Sequence, residues 1–185
     1  MKKLFAITVF ASVSIAANAQ SSNQAASASQ TVKLDLGNAI EITFTGNGSA
    51  TGPDVNIPFT TVNDYANGVE SNDQQLKVRS NKDFDVTVKA NAASFTYSGN
   101  TTPAPVMPVQ NVLNLKVTGN NTGGAIASPF SSTAYASLTA ADQDLIDGGS
   151  RGGNQTFDIK YKATPGFAYP AGIYAVDVVY TATQK

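Results

Sequence analysis

The 185-residue sequence contains no histidine, no cysteine and no tryptophan. Without histidine there is no imidazole general base and no imidazole metal ligand. Without cysteine there is no thiolate nucleophile, no disulfide framework and no lipoprotein-type N-terminal anchor. A Ser-His-Asp triad is impossible, and zinc or copper chemistry loses its usual ligands. Basic residues are also few, 12 Lys and Arg against 13 Asp and Glu. A nucleic-acid ligand needs a basic surface, which this composition lacks, and a polybasic route to membranes fails on the same ground. After the first segment, no apolar run approaches the roughly 20 residues that a spanning helix needs.

That first segment reads as an export signal. Lys2 and Lys3 form a positive start, "LFAITVFASVSIAA" an apolar middle, and "ANA" at 17–19 a small-residue cleavage site before Gln20. The expected localisation is therefore export, to the periplasm, the cell surface or the medium. Loss of residues 1–19 takes Lys2 and Lys3 with it and leaves 10 basic against 13 acidic side chains, a net charge of −3. The remaining 166 residues suffice for one domain with a core that needs no disulfides. Residues 20–30, "QSSNQAASASQ", are small and polar and read as a flexible leader. Residues 31–185 read as a single domain.

Within that domain the apolar pattern has a period of two, the signature of strands with one buried face. "TVKLDLG" sets Val32, Leu34 and Leu36 on one face; "IEITFTG" does the same with Ile40, Ile42 and Phe44. "VNIPFTTV" allows at most a short edge strand, because Pro58 cannot donate to a ladder. "LKVRS" and "FDVTVKA" predict a hairpin turning at residues 80–83, with Leu76, Val78, Phe84, Val86 and Val88 inward. "SFTYSG" and "VLNLKVTG" predict further strands, the second burying Leu113, Leu115 and Val117, with a proline-rich crossing between them. "TAADQDLID" carries a capping threonine, early acids and good helix formers, and predicts one short helix ended by Gly148-Gly149. At the end, Phe157, Ile159 and Tyr161 share one face of a strand, and Tyr174, Val176, Val178 and Tyr180 one face of the next. The expectation is that these two strands pair antiparallel across the loop from Ala163 to Gly172. Short alternating strands with little helix predict an all-β fold, an immunoglobulin-like antiparallel β-sandwich with one short helix.

The opening pair "TVKLDLGNAIEITFTG", the "LKVRSNKDFDVTVKA" stretch and the ending "PAGIYAVDVVYTATQ" together resemble bacterial pilin-like and spore-coat-U-like secreted surface proteins, which are related to WxL-type wall-binding domains. The resemblance covers most of the chain beyond residue 30 in layout. It implies an immunoglobulin-like fold, a structural or adhesive role at the cell surface, and self-association or contact with another surface protein. It also allows a strand to be donated between copies, and the candidates for strand pairing are Val32, Leu34, Leu36, Tyr174, Val176, Val178 and Tyr180. Two features depart from the pattern. The disulfide common in such pilins is missing, and so is the Trp-x-Leu signature, so wall attachment does not carry over.

Other features carry weaker signals. Asp142, Asp144 and Asp147 lack the spacing and the distant Glu of a calcium loop and read as acids at a helix start, with a weak calcium site as the alternative. Phe167 and Tyr169, in a loop between prolines, either stack on a glycan or a partner or fold over the end of the sandwich. The sequons at Asn47, Asn100, Asn120 and Asn154 mark exposed loops. No metal or cofactor is expected. Acids in the predicted strands alternate outward, where water holds them ionised, so no candidate general acid emerges and catalysis is not expected. A secreted structural or adhesive surface protein, of pilus, coat or matrix type, is therefore the expectation, with a carbohydrate-binding module using loop aromatics as the alternative.

Overall fold

A computed structural model describes residues 26–185. The proposed signal at 1–19 and the first part of the leader lie outside the described residues. Residues 26–35 carry neither helix nor strand, and Val32 and Leu34 are exposed. Residues 36–185 form a compact unit.

Its elements run β1 (Ile40–Phe44), α1 (Val62–Asn67), β2 (Val69–Glu70), β3 (Gln74–Ser80), β4 (Phe84–Ala90), β5 (Thr96–Ser98), β6 (Leu113–Asn121), β7 (Ala125–Ile126), β8 (Ala136–Ser137), β9 (Gln143–Gly149), β10 (Gly152–Ala163), β11 (Ile173–Ala175) and β12 (Val178–Gln184). One sheet has the order β1-β3-β10-β6-β8, with the short β2 also on β10; the other has the order β12-β4-β9-β7. A two-stranded piece joins β11 to β5. Every pairing is antiparallel. The fold is an all-β sandwich with one short helix.

Alternation builds the core. Leu76, Val78, Phe157, Ile159, Leu115 and Val117 point inward from the first sheet, and Phe84, Val86, Val88, Leu145 and Ile146 from the second. All are buried, including each inward residue that the alternation assigned to β3, β4, β6 and β10. At about 1.5–3 kcal/mol per buried large apolar side chain, this layer is the main source of stability.

Four expectations are corrected. The stretch at 139–147 forms no helix: β9 runs through it, because Leu145 and Ile146 are both fully buried between β4 and β7. Tertiary burial overrides the local preference of its caps and acids. Among the described residues the one helix lies instead at Val62–Asn67, just past the stretch 55–62 where an edge strand was allowed, and residues 55–60 carry no strand. Thr61 caps it, and a capping box with Asp64 ties its first turn. Residues 80–83 do not turn a hairpin, since β3 and β4 lie in different sheets. The last strand does not pair with β10; β12 pairs with β4 from Val178↔Ala90 to Gln184↔Phe84. Both strands do face the core, but from opposite sheets.

Candidate functional site: an open sheet edge and its cleft

The feature with the clearest chemical potential for recognition is the outer edge of β12. Backbone bonds fix which way its groups point. The Asn91 N–H donates to the Asp177 carbonyl and the Lys185 N–H to the Asp83 carbonyl, each at 2.9 Å. Odd-numbered residues of this stretch therefore turn their N–H and C=O toward β4. Val176, Val178, Tyr180 and Ala182 turn theirs the other way, where the sheet has no further strand among the described residues. Such a row of unpaired donors and acceptors is a template for strand addition.

The side chains of Val176, Val178, Tyr180 and Ala182 are half-buried against the core. Tyr180 is the pivot. Its ring meets Phe44 of β1 edge-on at 6.2 Å between centroids and Phe157 of β10 at 6.4 Å. Its hydroxyl shares a 2.7 Å hydrogen bond with the hydroxyl of Tyr161 on β10. Burial pushes Tyr161 up to about 12, and burial together with Tyr161 pushes Tyr180 well above the usual tyrosine range. At the far end of β12, the Gln184 side-chain amide donates to the Ala39 carbonyl at 2.8 Å, closing β12 onto β1.

Away from that closure the edge opens into a cleft of about 1000 Å³. Its walls are Ile42–Phe44, the irregular stretch 50–59 and the stretch 169–180. Among its lining residues the charged ones are Asp54 and Asp177, both acidic. Asp177 accepts from the Asn91 side-chain amide at 2.8 Å.

The predicted site residues fall in three places. Val176, Val178 and Tyr180 share the inward face of this edge, as expected. Tyr174 does not join them in the core: it sits on β11 opposite Tyr97, its ring 5.0 Å from that of Tyr97 and 6.3 Å from that of Tyr169. Its hydroxyl donates to the Pro170 carbonyl at 2.8 Å. Val32, Leu34 and Leu36 form no ladder, and are 77%, 79% and 83% exposed. Phe167 and Tyr169 part ways. Tyr169 turns into the tyrosine cluster, whereas Phe167 is 66% exposed and stacks on Tyr65 at 5.5 Å, with Phe59 behind it. The wall at 50–59 was missed, because two prolines and no periodicity offer no signal that this stretch borders a cleft.

Two of the three candidate acids are committed to ion pairs. Asp142 pairs with Lys89 at 3.1 Å and Asp147 with Lys185 at 2.8 Å. Among the described residues no group of three His, Cys, Asp or Glu could hold a metal. Asp85 is partly desolvated, but the Gly148 N–H and the Lys185 ammonium outweigh that and hold its carboxyl below the usual range. Backbone donors at Thr60 and Thr61 do the same for Asp64. Both shifts run opposite to what a general acid requires. Among the described residues no helix is long and apolar enough to cross a membrane.

The fold and this edge define a class, an all-β sandwich with an unclosed side. No protein-family model matches the sequence, and no curated protein matches it either.

Proposed function

We propose that this is a secreted bacterial surface protein of structural or adhesive type, a pilus, coat or matrix subunit that acts through protein contacts at a sheet edge and not through catalysis. The observation that carries this reading is the free edge of β12, whose outward backbone groups lie beside a cleft lined by both apolar and polar side chains. Natural sandwiches blunt such edges with charge, proline or cover, and the stretch 176–182 has only Asp177. The signal-like first 19 residues support an exported location, and the net charge of −3 without them disfavours nucleic acid.

Sedimentation velocity over a concentration series tests this. The protein should self-associate, and Val178→Pro should prevent it. That proline removes an N–H that faces the open edge and belongs to no ladder within the chain, so the fold should survive. A protein that stays monomeric at every concentration would refute the self-associating form of the proposal.

A second reading, a carbohydrate-binding module, draws on one observation, the exposed Phe167 ring stacked on Tyr65. Saturable glycan binding that is lost in Phe167→Ala would favour it.

A further inference from the structure

We infer that the recess between Arg151 and the outer face of β3 is an anion site, and that its ligand is a carboxylated sugar, a hexuronate free or within an acidic polysaccharide. The site uses none of the backbone groups of β12, so it goes beyond the edge contact and stands or falls without it.

Three observations place it. First, the sequence has two arginines, Arg79 and Arg151, and both line this one recess of about 480 Å³. Arg79 comes from β3, and Arg151 from the corner where the chain leaves β9 in the second sheet for β10 in the first. No other charged residue is in the lining. A concave surface lined by one sign of charge draws in the other.

Second, the guanidinium groups have donors to spare. Arg79 stands opposite Glu41 in the β1–β3 ladder, and its Nε donates to Glu41 Oε2 at 2.8 Å. That contact orients the fork and leaves its Nη1 donors without a partner among the described residues. Arg151 makes no ion pair among the described residues. Its backbone N–H donates to the Asp83 carboxylate at 2.9 Å, which holds the corner; Asp83 and its neighbour Lys82 lie outside the lining and carry opposite charges. Two guanidinium charges less the Glu41 carboxylate leave a single positive charge. One carboxylate matches it, and a planar carboxylate suits the guanidinium fork, whereas a phosphate monoester carries about −1.5 to −2.

Third, the backbone beside the arginines is bare. Gly152 pairs with Ser80 and Gln155 with Val78, so Gly153 and Asn154 both stand against Arg79. Such a bulge leaves one residue's backbone groups outside the ladder. A Cβ on Gly153 would meet nothing within 4 Å. Open main chain next to a guanidinium suits the hydroxyls of a carboxylate-bearing ring. The recess is within the range of small-ligand pockets, about 300–1000 Å³, and a lone Asp or Glu side chain would leave most of it empty. Its rim is fixed in advance, because the Gln184 amide donates to Ser80 Oγ and Asn81 Oδ1, each at 3.0 Å.

Isothermal titration calorimetry with a galacturonate trimer tests the site. The protein should bind it saturably, more weakly at higher ionic strength, and should not bind the neutral galactose trimer. Arg151→Ala should weaken binding by about tenfold or more. Arg79→Lys, which keeps the charge and loses the fork, should weaken it too. Gly153→Leu should block the recess; its Cβ is unopposed and its φ lies outside the left-handed region, so its melting temperature should match the parent's. Equal binding of the neutral trimer, or parent-like binding in Arg151→Ala and Gly153→Leu, would overturn the site. If a glutamate trimer binds as tightly as the galacturonate trimer, the site reads carboxylate alone and the sugar assignment is wrong. A parent protein that binds no galacturonate overturns the proposal and leaves the self-association reading to the sedimentation result.

Discussion

Replacing Tyr180 by phenylalanine unbalances a hydroxyl pair that joins the two sheets. Tyr161 belongs to β10 and Tyr180 to β12, and their hydroxyls lie 2.7 Å apart inside the sandwich. Tyr161 is only 7% exposed, so water does not replace a lost partner there. Tyr180→Phe should cost about 1–3 kcal/mol, the penalty of a buried hydroxyl left unsatisfied. Tyr161→Phe should cost a similar amount. The double variant leaves nothing unsatisfied and should lie well above the sum of the singles, with a coupling of about 0.5–3 kcal/mol in a double-mutant cycle. Urea unfolding at neutral pH measures all four proteins. Strictly additive costs would refute the pairing. The pH dependence provides a second arm. Both hydroxyls have folded-state pKa values raised by burial, Tyr161 to about 12. Their contribution is fully present below the unfolded tyrosine value of about 10 and is lost as pH rises from there toward 12. The parent should therefore lose stability steeply on the alkaline side, and the double phenylalanine variant much less so.

Other outcomes follow from the same geometry. Truncation after Gly172 removes Val176, Val178, Tyr180 and Ala182 from the core and bares β4; the chain should then lose cooperative unfolding, and a parent-like melt would contradict the packing. Gly124→Ala would place a Cβ 2.5 Å from the Asp147 carbonyl oxygen and 2.7 Å from the Gly149 nitrogen, both backbone, and should cost about 1–3 kcal/mol by chemical denaturation. EDTA should leave the melting temperature unchanged, and a drop restored by calcium would point back to Asp142, Asp144 and Asp147. Mass spectrometry of the exported protein should find Gln20 first, and an intact Met1 would refute the signal reading.

Much of the core was legible because alternation states which face of a strand is buried. Phe84, Val86 and Val88 sit inward as the period of two requires. Alternation does not state which sheet a strand joins. In a sandwich the inward faces of two opposed strands look alike in sequence, so Phe157-Ile159-Tyr161 and Val178-Tyr180 suggested a pair that the fold places across the core. The four residues 80–83 fit an arch between sheets as well as a hairpin. The stretch at 139–147 followed local helix preference, whereas two adjacent buried residues, Leu145 and Ile146, needed a strand between neighbours. Val32, Leu34 and Leu36 have the alternation of a strand, but a ladder also needs a neighbour. Of the candidate site, the inward set at Val176, Val178 and Tyr180 could be read from sequence. The free side of their backbone could not, because it depends on β4 occupying the other.

The most direct measurement of the edge reading is amide hydrogen exchange at low and high protein concentration. In the assembled protein the N–H groups of Val176 and Val178, which face the open edge, should become protected, while those of Val179 and Thr181, already bonded to β4, should exchange as before. If Val176 and Val178 exchange at the same rate at every concentration while the protein self-associates, the contact lies elsewhere on the molecule and the account is wrong.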